Sequence, residues 1–211
     1  MKKSFIIISL IILISFGIGV YFYPQMPDKM VSHWGTSGEA NDYMGKFWGL
    51  FLMPIISLVV FLFLILIPKL DPLKMNVEKF RKQFDNFTIF IILFLFYIYL
   101  LTIFWNLGIQ FDMNQAIAPA FGILFYYCGV LIENSKRNWF IGIKTPWTLS
   151  NDEVWDKTHK LGGKLFKITG VISLLGLFFP QFAFLFILIP VLFSTLYAVV
   201  YSYFEYKKIV K

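Results

Sequence analysis

Apolar residues occupy this chain in long runs, and short polar segments separate the runs. A run of about 20 residues crosses the roughly 30 Å hydrocarbon core of a bilayer as a helix, because backbone amides in lipid must bond within their own segment. The pattern therefore predicts an all-α integral membrane protein built as a six-helix transmembrane bundle. The predicted spans are residues 4–23, 47–67, 86–107, 115–133, 161–179 and 182–203.

The first and fifth spans are the least typical. Residues 4–23 follow two lysines, as in a secretory signal, but the run is long and ends in Tyr-Pro without a small-residue cleavage pattern, so an uncleaved helix is expected. The fifth span contains Lys167, and its densest apolar part begins only at Ile168. The start of this span is therefore the hardest to place.

Lysine and arginine are distributed unequally between the two sides that the spans define. Of 19 such residues, 17 fall on one side, and membrane proteins keep their positive loops in the cytosol. Both termini and the loop 134–164 are therefore predicted to be cytosolic, while the loop 24–46 lies outside the cell membrane. The net charge of +7 then reflects attraction to the anionic inner leaflet, and direct contact with nucleic acid is not needed to explain it.

The two long loops divide the chain into halves of three helices each. Residues 1–107 form an N-terminal half that contains the outer loop 24–46, and residues 108–211 form a C-terminal half that contains the inner loop 134–164. A composition of 58% hydrophobic and 20% aromatic residues agrees with a multi-pass membrane protein.

The outer loop has the residues of a compact fold. Residues 30–34 can extend, and Gly35 and Gly38 permit the positive backbone angles of tight turns. One interpretation is a recognition patch, and the other is that Trp34 and Trp48 belong to the interfacial aromatic belt while His33 holds the loop together. The candidate ligand-binding residues are Pro27, His33, Trp34 and Gly38.

The inner loop contains a predicted helix start. Ser150 and Glu153 have the spacing of a capping box, so a helix is expected from Asn151. Its residues at i, i+3, i+4 and i+7 form one stripe, which is expected to lie at the membrane surface or to dock against Trp139 and Trp147. Gly162-Gly163 is expected to be a flexible joint into the fifth span. The stripe consists of Trp155, Thr158, His159 and Gly162.

Few residues of the spans carry chemistry. No ionisable side chain lies at mid-depth, which argues against ion-coupled transport, and Cys128 is the only cysteine, which excludes an intramolecular disulfide. His33 and His159 are predicted to lie on opposite sides of the membrane and cannot share a metal ion. No metal, no cofactor and no enzymatic activity are therefore expected.

Two other classes stay open from the residues alone. A membrane enzyme is kept only because both histidines lie near polar residues. A small transporter or channel of unknown substrate is the main alternative, with polar residues near an outer mouth at Asn106, Gln110, Asp112 and Gln115.

Both loops resemble those of the SdpI-like membrane proteins, the family of the immunity protein against the sporulation-delaying toxin of bacilli. Residues 26–29, His33-Trp34, Gly38-Glu39 and Gly45-Lys46 are similar to the N-terminal domain of many members. Residues 138–142, 144–149, Trp155 and Thr158-His159 are similar to their C-terminal signature, which is the more specific match. The candidate partner-binding or structural residues are Asn138, Phe140, Gly142, Lys144, Thr145, Pro146, Trp147, Trp155 and His159.

The resemblance implies a membrane immunity or signal receptor protein that protects the cell from a secreted membrane-active peptide. Its expected partners are the lipid bilayer, a peptide toxin on the outer face and a cytosolic transcriptional repressor held at the inner face. The family signature has an arginine at the position of Lys144. A lysine lacks the two-pronged geometry of a guanidinium, so a bidentate contact is not expected there.

Overall fold

Helices form most of the computed structural model, which describes residues 2–36 and 38–210. The contributions of Ser37 to the outer loop and of Lys211 to the charge count lie outside the described residues. The helices are α1 (Lys2–Phe22), α2 (Lys46–Leu70), α3 (Lys74–Glu78), α4 (Arg81–Asn106), α5 (Met113–Asn134), α6 (Pro146–Ser150), α7 (Asp152–Ser173) and α8 (Ala183–Val210), and the strands are β1 (Lys29–Trp34) and β2 (Ala40–Gly45).

Five described helices are long and apolar enough to cross a bilayer, namely α1, α2, α4, α5 and α8. The prediction of an all-α, multi-pass membrane protein is confirmed by these helices. The fifth predicted span corresponds to α7 and the short 3₁₀ turn Leu174–Leu177 that follows it. Because the first half of α7 carries many charged residues, it does not qualify by composition, and the count of six crossings stays a prediction.

Helix α7 packs antiparallel along the whole length of α5. The contact is close because glycines face each other: a Cβ on Gly129 would lie 2.5 Å from the carbonyl oxygen of Gly163, and one on Gly170 would lie 2.5 Å from that of Gly122. Small residues let two backbones approach in this way. At the far end the Gln115 side chain donates to the Leu177 carbonyl at 2.8 Å. Residues 152–177 therefore extend as far as α5 does.

The bundle has two distinct ends. Helix α4 is 26 residues long, which is about 39 Å at 1.5 Å per residue. The hairpin end, at Asn106, holds the strands β1 and β2, whereas the signature end, at Arg81, holds the loop 135–145 between α5 and α6, called here the signature loop. Ser4 and Glu205, near the two ends of the chain, both lie at the signature end, beside Arg81 and Lys157 respectively.

Buried apolar side chains form three clusters along the bundle. The cluster at the hairpin end includes Met30, Leu50 and Tyr99. The middle cluster joins α1 to α2 and α4. The cluster at the signature end includes Phe80 of the connection before α4 and Ile141 of the signature loop. Each loop is therefore anchored by a hydrophobic cluster of its own.

The outer loop is a two-stranded antiparallel hairpin, so the prediction of a compact fold is confirmed. Strand β1 pairs with β2, with irregular register on both sides of His33. Gly38 adopts φ +81° in the turn, a conformation that favours glycine. Met30 is fully buried against Gly49 of α2, where a Cβ would lie 2.7 Å from the Met30 sulfur.

Two expectations for the inner loop are wrong. Ser150 is the last residue of α6 and does not form a capping box; the cap of α7 is Asn151, whose side chain accepts bonds from the amides of Glu153 and Val154. Gly162 and Gly163 are not a flexible joint, since both are buried inside the continuous helix α7. Their lack of a side chain serves packing and not bending.

Candidate functional site

The signature loop is folded around the side chain of Asn138, which is fully buried. Its amide nitrogen donates to the carbonyls of Lys136 and Ile141, each at 2.8 Å, and its oxygen accepts from the amides of Phe140 and Ile141 at 2.9 and 2.6 Å. These four bonds use the hydrogen-bonding capacity of a carboxamide fully. Asn138 therefore holds the turn and has no group left for a partner.

A second device, called here the histidine latch, joins this loop to α7 through Gly142, Ile143, Trp155 and His159. The Ile143 amide donates to His159 Nε2 at 2.9 Å, so Nε2 is unprotonated and Nδ1 donates to the Trp155 carbonyl at 2.8 Å. The Trp155 and His159 rings stack at 3.9 Å. Gly142 has φ +112°, and a Cβ there would overlap His159 Nε2.

The His159 imidazole is neutral because of its surroundings. His159 precedes the apolar part of α7, and burial lowers its pKa from 6.5 to about 4, against the opposing effects of the Trp155 carbonyl and Asp156. Loss of water around a charged imidazolium is the dominant cause. The latch therefore requires the uncharged ring, which can both donate and accept.

Helix α6 is fixed by paired threonines. The Thr145 and Thr148 side chains each bond the other's backbone amide, forming a capping box, and Pro146 occupies the first turn. The Thr145 hydroxyl lies 3.1 Å from that of Ser202 in α8. Trp147 packs edge-on against Tyr203 at 5.1 Å. This small helix therefore joins the signature loop to the last long helix.

The predicted docking of the α7 stripe against Trp139 and Trp147 is wrong. The stripe faces both ends of the signature loop: the Trp155 indole donates to the Ser135 carbonyl at 3.0 Å, and Gly162 packs against Ile143. Trp139 is 53% exposed. Both tryptophans have other contacts: the Trp139 amide donates to the Asp71 carboxylate, and the Trp147 ring packs on Tyr203 of α8.

The inner candidates fall into a buried set and an exposed set. The buried set forms the contacts described above, and Phe140 packs on the cluster at the signature end. Lys144 and Pro146 are exposed. Lys144 Nζ donates to the Trp139 carbonyl at 3.3 Å, a contact with a single acceptor that suits a lysine. Among the side chains of the inner loop, Lys144, Pro146 and Trp139 are therefore open to a partner.

Sequence reasoning missed two residues that bind the halves of the chain together. The carboxylate of Asp71, only 2% exposed, accepts the Leu73 amide at 2.7 Å and the Trp139 amide at 2.9 Å. Asn76 donates to the Arg137 carbonyl at 2.9 Å. The Asp-Pro pair after a long apolar run indicates a turn. No pattern in the sequence indicates that Asp71 binds the amide of Trp139, which lies 68 positions later.

Ion pairs surround the signature end. Lys136 pairs with Asp156 at 3.1 Å, and Arg137 pairs with Asp152 at 2.8 Å. Exposed pairs of this kind contribute little stability, so they orient the loop more than they hold it. Deeper in the bundle, Lys167 of α7 pairs with Glu133 of α5.

The four outer candidates lie in different environments. Pro27 is exposed before the hairpin. Gly38 lies in the turn beside α5, where a Cβ would be 3.3 Å from an Asp112 oxygen. His33 is exposed and its Nδ1 lies 2.6 Å from the Asn41 side-chain oxygen. The Trp34 ring packs edge-on against Trp105 at 5.7 Å.

His33 and Trp34 border a cavity of about 360 Å³ beneath the hairpin, called here the chamber. Strands β1 and β2 border it on one side, and residues of α2, α4 and α5 line the rest of this partly open cavity. Polar groups lie at its upper edge and aromatic side chains lie at its base. Its lining includes Ser32, His33, Trp34, Trp48, Leu52, Phe94, Thr102, Asn114 and Phe121. The structure thus brings two of the four outer candidates together and leaves Pro27 and Gly38 outside.

One of the polar residues predicted at a transporter mouth, Asn106, attaches the hairpin to the bundle. Asn106 accepts the Val31 amide at 2.7 Å and donates to the Val31 carbonyl at 3.1 Å. Asp112 accepts the Gln115 amide at 3.0 Å and thereby caps α5. These polar groups have structural partners, and nothing in their arrangement favours a transport path over a support for the hairpin.

Residues 2–36 and 38–210 contain no group of three or more His, Cys, Asp or Glu placed to hold a metal ion. His33 lies at the hairpin end and His159 at the signature end. The arrangement is that of a multi-pass membrane protein with a packed polar unit at one end and a partly open cavity at the other.

Comparison with known proteins shows which families the two loops resemble. Residues 134–202 match the SdpI/YfhL protein family, and residues 10–58 match a domain of unknown function, DUF1648. The chain is 25% identical over 210 residues to the immunity protein SdpI of Bacillus subtilis (strain 168), which covers 99% of this chain and 98% of that protein. No solved structure matches. Residues 134–202 therefore resemble the SdpI/YfhL protein family, and the resemblance predicted from the two loops is confirmed.

The matched segments contain all the ligand-binding and partner-binding candidates named from the sequence. The outer four lie within residues 10–58 and the inner nine within residues 134–202. Asp71, Asn76 and Asn106 lie between the two segments. Each of these three residues binds a loop to the helical scaffold.

Proposed function

We propose that this protein is an immunity protein of the cell membrane, which protects the cell from a secreted membrane-active peptide. The observation that carries the proposal is the similarity over nearly the whole length to a protein named for immunity. Both patterned loops fall within that similarity. The proposal places the hairpin outside, where it meets the peptide, and the signature end in the cytosol.

Survival of a sensitive strain tests the proposal directly. The full chain is expressed in a strain that is killed by a secreted membrane-active peptide, with the Bacillus subtilis relative as a positive control. Gly142→Ala, which disrupts the histidine latch, is expected to abolish protection, whereas Gly17→Ala, which has no atom within 4 Å of its new Cβ, is expected to retain it. Wild-type chain that leaves survival unchanged against a panel of such peptides contradicts the proposal.

The orientation has a separate test. In a Cys128→Ala background, Glu39→Cys and Ser150→Cys place single thiols at exposed positions at the two ends. A membrane-impermeant maleimide added to intact cells is expected to label the first and not the second, with labelling after lysis as the control for both. Labelling of Ser150→Cys in intact cells reverses the assigned sides.

We also propose that a cytosolic transcriptional repressor binds the exposed part of the signature loop, as the family resemblance implies. Trp139 is 53% exposed, and Lys144 Nζ donates to its carbonyl; tryptophan is enriched at binding hot spots. Trp139→Ala is expected to reduce recruitment of a fluorescent repressor fusion to the membrane, while Trp48→Ala at the other end leaves it unchanged. Equal recruitment by both variants contradicts this part of the proposal.

A further inference from the structure

The chamber beneath the hairpin is polar at its upper edge and apolar below. On α4 its lining runs from Thr102 to Phe94, eight residues or about 12 Å along the helix axis. Phe121 of α5 lies at the same lower level. A volume of about 360 Å³ is within the range of ligand-binding cavities. The chamber thus suits an occupant with an apolar body and a polar or charged part that stays at the surface.

The charge of the hairpin end has the sign opposite to that of the whole chain. Among its described residues the acidic side chains outnumber the lysines by two, and Lys46 is already paired with Asp28 at 2.9 Å. Asp42 pairs in register with His33 at the chamber edge, and Asp112 precedes Asn114 of the lining. The acidic residues are Asp28, Glu39, Asp42 and Asp112, and the basic residues are Lys29 and Lys46.

Two features of β1 provide hydrogen-bonding groups beside the chamber. Ser32 lies at a register shift and has no partner residue in β2, as in a β-bulge. The indole nitrogen of Trp34 is buried and has no hydrogen-bond partner among the described residues. A buried donor without an acceptor costs free energy. An occupant that carries carbonyl groups would supply an acceptor for the indole nitrogen.

From these observations we propose that the chamber binds an apolar segment of a cationic peptide. Apolar side chains of the peptide fill the space between Thr102 and Phe94, its carbonyl groups face Ser32 and Trp34, and its positive groups lie at Asp42 and Asp112. The proposal rests on the proposed function and deepens it, because it names the site and the charge of the peptide.

The contrast with a second cavity supports a peptide over a membrane lipid. A groove of about 410 Å³ between α4 and α5 includes Pro119 and Ala120 in its lining and has no charged residue in it. A lipid chain needs only such an apolar surface. The lining of the chamber also lacks Asp, Glu, Lys and Arg, but Asp42 lies opposite His33 of this lining and Asp112 lies two residues before Asn114, and these carboxylates attract cations. Ser32 of β1 has no partner residue in β2, so its backbone groups lie beside the chamber for another peptide.

Photo-crosslinking tests the site on the full chain in phosphatidylcholine nanodiscs. The probe is a synthetic leucine–lysine peptide that carries one photoactivatable leucine, and the matched control replaces each lysine by glutamate. Saturable crosslinks to β1 and to the chamber faces of α2, α4 and α5 are expected for the cationic peptide only. Equal crosslinking by the glutamate peptide overturns the proposal.

Two variants and a matched control sharpen the test. Thr102→Phe fills the chamber and is expected to weaken binding at least tenfold, whereas Ala120→Phe fills the other groove and leaves it unchanged. The double variant Asp42→Asn with Asp112→Asn removes two charges and keeps an acceptor oxygen on both side chains. It should weaken binding about fivefold, and added salt should weaken binding to the wild type in the same way. Binding that Thr102→Phe does not reduce overturns the site, and binding that the charge variant does not reduce overturns the cationic character.

Photoactivatable phosphatidylcholine tests the competing occupant. If it crosslinks to the same chamber residues and the cationic peptide does not displace it, the chamber is a lipid site and the proposal fails. The survival assay separates this proposal from the proposed function. Wild-type protection that Thr102→Phe fully retains overturns the chamber alone, whereas peptide binding in the chamber without protection overturns immunity alone.

Discussion

The two ends of this protein use similar residue types for opposite purposes. At the signature end, Trp155 and His159 stack and bond into a packed unit without free polar groups on the ring. At the hairpin end, Trp34 and His33 border a cavity of about 360 Å³. An aromatic–histidine pair in a polar loop therefore does not by itself indicate a binding site. The space around the pair distinguishes a support from a site.

The largest effect is expected from one added methyl group at the signature end. Gly142→Ala adds a Cβ that overlaps His159 at a residue with φ +112°. We expect the free energy of unfolding to fall by about 3 kcal/mol. The measurement is the thermal midpoint in detergent, which should be lower. Gly17→Ala in α1 is the matched control and should be neutral or slightly stabilising. An unchanged midpoint for Gly142→Ala would mean that the latch is not tightly packed.

A nearly equal effect is expected from acid, through the same latch. The pKa of His159 is about 4 when folded and 6.5 in its ordinary state, so the unfolded chain binds the proton first as the pH falls. The contribution of neutral His159 to the free energy of unfolding, about 3 kcal/mol, is therefore complete above about pH 6.5 and is lost as the pH falls towards 4. The difference in thermal midpoint between wild type and His159→Gln should shrink over this window, whereas His33→Gln should follow the wild type. A constant difference across the window would refute the neutral latch.

The smallest effect is expected at the hairpin end. Asn106→Leu removes both side-chain bonds to Val31, at a cost of about 1 kcal/mol in local opening. Exchange of the Val31 amide with solvent deuterium should become several-fold faster while the midpoint of the bundle changes little. Thr102→Val is the control, because its hydroxyl bonds only its own helix at Ile98. A large drop in midpoint with Asn106→Leu would show that the hairpin supports the whole bundle.

Much of the local structure could be predicted because it depends on near neighbours. Apolar runs predicted six spans, and five of them are helices that meet the criteria for crossing a bilayer. The glycines of the outer loop indicated a turn that Gly38 does form. The stripe from Trp155 to Gly162 is buried as its spacing predicted. Helical periodicity and turn chemistry are encoded within a few residues, so reading the chain in order was sufficient for these elements.

The candidate site was less predictable because its geometry depends on distant residues. The chamber exists only where β1, α2, α4 and α5 meet, and Phe94 and Phe121 looked like any lipid-facing residues in the chain. Gly162-Gly163 looked like a joint because glycine favours flexibility, yet both residues are packed against other segments. A glycine pair suits either a bend or a close helix contact, and the segments packed against it determine which of the two it forms.

The sequence alone determined that this protein lies in a lipid bilayer and where its outer loop extends and turns. It also determined the family that the two loops resemble. These properties follow from composition, periodicity and short motifs. The tertiary structure alone decided that His159 is a neutral latch, that Asp71 binds the signature loop across the chain, and that His33 and Trp34 border a chamber. The physical reason is that burial, hydrogen-bond satisfaction and empty space are properties of contacts between segments, and such contacts form only when the helices pack.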